Sequence, residues 1–162
     1  MKMTRKEFFM KSLQGAALLA VTPMVGSVLE GCNSSNPFGP GGGSAGSSLP
    51  TINVSESNGE IILPIESSSP LANAGSVALL QNSSYPVLVN RKNTDSFQAV
   101  SAICTHQGCL VSDYDSSKNE FICPCHGSRF SLSGQVDQGP AYYPLTQYQT
   151  QFQNNTLVVK LK

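Results

Sequence analysis

The chain has 162 residues with ten Lys and Arg against ten Asp and Glu, a formal net charge of zero and only 12% charged residues. This length holds about one domain, and without a basic excess the chain lacks the electrostatic footprint of a nucleic-acid binder. Beyond residue 31 the balance is six basic to eight acidic side chains, so nothing points to an anionic partner either.

In chain order, residues 1–31 read as an export signal or membrane anchor. Lys2, Arg5, Lys6 and Lys11 precede an uncharged run over residues 12–29, the layout of a signal segment. Residues 4–11, TRKEFFMK, resemble the twin-arginine export motif with Lys6 in place of its second arginine. That route carries proteins already folded around a cofactor. Residues 29–32, LEGC, resemble the lipobox of bacterial lipoproteins, with Glu30 atypical at its position, which implies lipidation at Cys32. A retained helix is the competing arrangement. Eighteen uncharged residues at ~1.5 Å each span about 27 Å, short of the ~30 Å hydrocarbon core. Simple secretion is a third. Either anchored arrangement leaves the domain exported and facing the periplasm or exterior of a bacterial cell. Residues 32–50 are rich in Gly and Ser and form a flexible tether, whose eighteen residues after Cys32 have an r.m.s. span of about 23 Å.

From residue 51 the chain turns to short apolar runs: EIILPI, SVALL, PVLVN, SFQAVSAI, NEFICP and TLVVKL, separated by Gly, Pro, Asn and Ser. These have the length and β-branched content of strands, and none carries a helical period. In TQYQTQFQ, residues 146–153, Gln alternates with Thr146, Tyr148, Thr150 and Phe152, the pattern of a half-buried strand. Asn154 and Asn155 then turn it into TLVVKL as a hairpin. Residues 51–162 are expected to form an all-β domain, an antiparallel sandwich or small barrel.

Two clusters carry the chemistry: CTHQGC at 104–109 and CPCHGS at 123–128. Cys104, His106, Cys123 and His126 offer two thiolates and two imidazoles, enough for four bonds to metal. A Cys2His2 zinc module would use these four and leave Cys109 and Cys125 unexplained.

The clusters resemble those of the Rieske [2Fe–2S] family, C-T-H-x-G-C and C-P-C-H-G-S. The resemblance implies a β domain carrying the cluster at its tip, within about residues 102–141. It further implies that Cys104 and Cys123 ligate one iron, that His106 and His126 ligate the other, and that Cys109 and Cys125 form a disulfide. Ser128 matches a serine that donates to a bridging sulfide in high-potential members. Gly139, Pro140 and Ala141 resemble the loop that covers the cluster's third side. Two positions depart from the pattern of quinol-oxidising members: Phe130 stands in place of a tyrosine and Gln107 in place of an apolar residue.

Such a centre suits electron transfer. Two ferric irons, two sulfides, two thiolates and neutral imidazoles sum to zero, so reduction creates only one negative charge. Histidine ligation accordingly lifts the potential to about −150 to +300 mV, against about −400 mV with all-cysteine ligands. Reduction also raises the histidine pKa values, coupling electron to proton. His106 and His126 are the only histidines in the chain, so the additional two-histidine iron site of a Rieske oxygenase cannot be built from it. Two partner classes follow: a quinol-oxidising cytochrome bc-type complex, with a cytochrome b or c as neighbour, or another periplasmic oxidoreductase of the arsenite oxidase kind.

Overall fold

The computed structural model describes residues 47–82 and 84–162, and the export signal, the twin-arginine motif, Cys32 and most of the tether lie outside them. Among the described residues there are thirteen strands and no helix: β1 (Ser47–Ser48), β2 (Thr51–Asn53), β3 (Glu56–Ser57), β4 (Glu60–Pro64), β5 (Val77–Gln81), β6 (Val87–Arg91), β7 (Phe97–Ser101), β8 (Asp113–Asp115), β9 (Glu120–Ile122), β10 (Arg129–Ser131), β11 (Val136–Gln138), β12 (Gln147–Gln153) and β13 (Thr156–Lys160). They form an eight-stranded sheet ordered β2-β5-β6-β7-β12-β13-β4-β3 and a five-stranded sheet ordered β1-β8-β9-β10-β11. All pairs are antiparallel except β2 with β5. Among the described residues the five-stranded sheet already includes Ser47, inside the segment read as tether: Ser47 and Ser48 pair with Tyr114 and Asp113, and Leu49 is buried.

The wall β5-β6-β7 explains why its strands read as unbroken apolar runs. Val77 and Leu79 of β5, Leu88 of β6 and Val100 of β7 join one core, while Ala78, Leu80, Val87, Val89, Phe97 and Ala99 face a second. A sheet buried on both faces cannot show alternation. β12 is buried on one side only, and its burial alternates as the glutamine spacing predicts. Asn154 and Asn155, with φ of 50° and 56°, make the left-handed pair of a tight hairpin, and Asn58 and Gly59 do the same between β3 and β4.

The two cores separate scaffold from site. The second is purely structural, and beside it Arg91 is 8% exposed. Its guanidinium donates to the carbonyls of Leu71, Ala72, Asn93 and Thr94 and stacks over Phe97 and Phe152. The first core contains Cys104, Cys123, Phe130 and Ala141, so the motif residues are rooted in packed hydrophobic side chains.

Candidate metal centre

The two motif loops are built alike. In the first, the Cys104 N–H donates to the Cys109 carbonyl at 2.8 Å and the Gly108 N–H to the Cys104 carbonyl at 2.9 Å. In the second, the Cys123 N–H donates to the Ser128 carbonyl and the Gly127 N–H to the Cys123 carbonyl, both at 2.9 Å. Each loop turns back through a glycine four residues after its cysteine, at φ of 74° for Gly108 and 75° for Gly127, a conformation that side chains disfavour. The first loop is closed by the bridge between Ile103 and Leu110, and the second joins β9 to β10.

These loops set two buried thiols side by side and two imidazoles edge to face. Cys104 is 2% and Cys123 0% exposed. Burial, then the hydrogen bond with the Cys104 thiol, pushes the Cys123 thiol up to about 11, against the opposing pull of the Cys125 and His126 backbone N–H groups. Those N–H groups favour a thiolate, and a metal cation supplies the charge that burial alone withholds. The His106 and His126 rings lie 4.8 Å apart at 88°, with His126 exposed and His106 half-buried. His106 Nδ1 is buried with no hydrogen-bond partner. A buried imidazole nitrogen left unpaired is a place for a metal bond, so the donor set fits an iron–sulfur centre.

A tie and a cover complete the site. Cys109 and Cys125 form the disulfide that joins the loops, with a Cα–Cα distance of 6.5 Å. Ser128 is fully buried, and its Oγ accepts the Ala141 N–H at 3.0 Å. The segment through Gly139, Pro140 and Ala141, with a cis bond before Pro140, is held at two further points. Thr105 Oγ1 donates to the Tyr143 carbonyl at 2.6 Å, and Gln138 Nε2 to the Gly127 carbonyl at 3.4 Å. Sequence reasoning missed Thr105, which sits inside CTHQGC with only its neighbours to recommend it. Phe130 is fully buried in the same core as Cys104 and Cys123, and Gln107 is exposed. Beneath the second loop, Arg129 bridges Asp115 at 3.1 Å and Glu120 at 2.8 Å, clamping β8, β9 and β10. The Ser117 hydroxyl, then Arg129, holds the Asp115 carboxyl down at about 2.

Comparison with known proteins decides the family. Residues 63–149, more than half the chain, match the Rieske [2Fe-2S] domain. The chain belongs to the Rieske family. Its cofactor is therefore a [2Fe-2S] cluster. Among curated relatives, the cytochrome b6-f complex iron-sulfur subunit of Prochlorococcus marinus (strain MIT 9515) is 33% identical over 152 residues, 90% of this Rieske chain and 76% of that protein. The corresponding subunit of Chlorobaculum thiosulfatiphilum is 38% identical over 73 residues, 45% of this chain and 39% of that protein. For the latter and for the Chlorobaculum tepidum subunit the match spans under two fifths of the relative's length. The plasma membrane Rieske protein PetC3 from Synechocystis PCC 6803 aligns at 35% identity over 52% of this chain and 85% of its own, with a TM-score of 0.46.

Proposed function

We propose that this chain transfers electrons as the iron–sulfur subunit of a quinol-oxidising cytochrome bc-type complex, with Cys104 and Cys123 holding one iron and His106 and His126 the other. The observation that carries the ligand reading is the pairing of donors: two free, buried thiols, one in each motif loop, and two imidazoles edge to face, one from each loop. Among the described residues the three donor atoms grouped within 4.8 Å are those of Cys109, Cys123 and Cys125, so Cys104, His106 and His126 do not converge with Cys123 on one point. Two pairs on two irons suit this arrangement better than one zinc ion drawing in all four. The cluster supplies a one-electron carrier that is neutral when oxidised. The chain's own groups do the rest. Backbone N–H groups of Cys125 and His126 favour a negative sulfur at Cys123, Ser128 has a hydroxyl proton to give, and exposed His126 offers a route for a proton to leave with the electron.

The relatives named as subunits of a cytochrome b6-f complex support a cytochrome partner, and quinol is the donor this reading assigns. They also support a membrane setting, although among the described residues no helix is long and apolar enough to cross one. We place that attachment at the N-terminal end, either by a lipid on Cys32 or by residues 1–31 retained as a helix, with the domain exported and the residues from 33 to 46 as tether. Phe130, lacking a tyrosine hydroxyl, favours a second reading as carrier for another periplasmic oxidoreductase.

His126→Ala or Cys104→Ala should abolish the cluster, and a variant that keeps stoichiometric iron would sink the ligand assignment. Membranes of the source cell lacking this chain should lose quinol-driven cytochrome reduction and regain it when the protein is restored. Full activity without the chain would favour the second reading. Intact mass of the membrane-extracted protein separates an acylated Cys32 from an unprocessed Met1 end.

A further inference from the structure

We propose that Cys109, Cys123 and Cys125 form a thiol–disulfide exchange site, through which the loop disulfide migrates to Cys109–Cys123 whenever Cys123 is not ligated to metal. The three sulfurs lie within 4.8 Å of one another, two already bonded and the third a free buried thiol. A nucleophile is thus built in beside a disulfide. Disulfides isomerise by attack of a thiolate on one of the bonded sulfurs. Here the Cys123 sulfur attacks Cys109 Sγ: the Cys109–Cys123 bond forms, the Cys109–Cys125 bond breaks, and Cys125 leaves as a thiolate that takes up the proton Cys123 gave. Electrons balance within the chain, with no oxidant or reductant.

Direction follows from the surroundings. Cys125 is exposed whereas Cys109 is half-buried, so water solvates Cys125 better as the leaving group. The other product, Cys123–Cys125, closes a small ring across Pro124, where the fixed φ opposes disulfide geometry. The Cys104 thiol also neighbours Cys123; a second exchange, with Cys104 attacking Cys123 Sγ and Cys109 leaving, would label Cys109 in place of Cys104 and so overturn Cys109–Cys123 as the resting pair. The exchange rests on sulfur geometry; its consequence rests on the ligand reading above. Cluster loading ties up the nucleophile and fixes the native disulfide, and cluster loss frees Cys123 to leave the ligand set and present Cys125 at the surface. Because the step reverses by attack of Cys125, the migrated form is a parked state rather than a destroyed one.

The test uses the full chain carrying Cys32→Ser, in two cluster-free forms. One is wild type at the site, stripped in acid and desalted; the other is His126→Ala, which holds no cluster if the ligand reading is right. Each is brought to pH 8 without oxygen, its fold followed by circular dichroism, and its thiols labelled with N-ethylmaleimide. Both disulfide pairings join the same two tryptic peptides, 93–118 and 119–129, so fragmentation of the labelled peptides assigns the positions. Within hours, more than about one folded chain in ten should carry label on Cys125 and none on Cys123, since exchange of this kind takes minutes to hours. Cys104 should label throughout. Loaded protein should label at none of the four, and cluster-free Cys123→Ser should keep Cys109 and Cys125 paired. Label confined to Cys104 and Cys123 after a day would overturn the proposal, as would label spread over all four positions as in guanidinium. If His126→Ala instead carries a cluster, the ligand reading fails while the stripped protein still tests the exchange.

Discussion

Replacing Ser128 with alanine removes one oxygen with two duties, and the structure separates them. Ser128 is fully buried and its Oγ accepts the Ala141 N–H at 3.0 Å. That is its only side-chain hydrogen bond among the described residues, so its own proton remains for the cluster. A hydrogen bond to a charged acceptor is worth about 1.5–3 kcal/mol, of which only the difference between redox states moves the potential. Taking that difference as about 1 kcal/mol, and about 59 mV for each tenfold step of a one-electron couple, the potential should fall by about 40 mV. The second duty concerns stability. Ala141 is 4% exposed, and its orphaned N–H should cost about 1–3 kcal/mol, loosening the cover and shortening cluster lifetime. Thr105→Val cuts the neighbouring tie to Tyr143 but spares the Ser128 hydroxyl, so it should shorten lifetime while moving the potential less than half as far. Protein-film voltammetry and the rate of cluster bleaching read the two effects. A Ser128→Ala potential within about 10 mV of wild type would refute the idea that this hydroxyl points at the cluster.

Three further outcomes follow from named contacts. Phe130→Tyr should raise the potential by several tens of millivolts if the hydroxyl reaches a cysteine ligand. Since Phe130 is fully buried, an unpartnered hydroxyl would instead lower the melting temperature, so voltammetry and calorimetry together locate it. Arg91→Met removes a guanidinium that serves four carbonyls and stacks on Phe97 and Phe152. Denaturant unfolding should show a loss of about 2–4 kcal/mol, with the potential unchanged because Arg91 belongs to the structural core. Asp115 is held at about 2 from an ordinary value of 3.8, so its contribution is complete above pH 4 and disappears as pH falls through 2. Thermal midpoints of wild type and Asp115→Asn should therefore differ at pH 5 and converge toward pH 2.

Much of the site was legible because its chemistry is local. CTHQGC and CPCHGS each carry thiol, imidazole and turn glycine within six residues, and both fold on their own backbone hydrogen bonds. The long strands were legible for the same reason, as β12 shows in its alternating glutamines. Pairing was less so. Ser47 and Ser48 join Asp113 and Tyr114 across more than sixty residues, and β2 runs parallel to β5; two or three residues carry no periodicity from which such contacts could be read. Thr105 was hidden similarly, since its partner is the Tyr143 carbonyl, and a backbone acceptor leaves no trace in sequence.

The most direct test of the whole account is low-temperature EPR of the reduced full-length protein, with its iron and sulfide measured on the same sample. The protein should hold the iron and sulfide of one [2Fe-2S] cluster per chain and give a rhombic signal with an average g below the free-electron value, lost in His126→Ala. An EPR-silent protein holding zinc, or a signal unaltered by that substitution, would contradict the account.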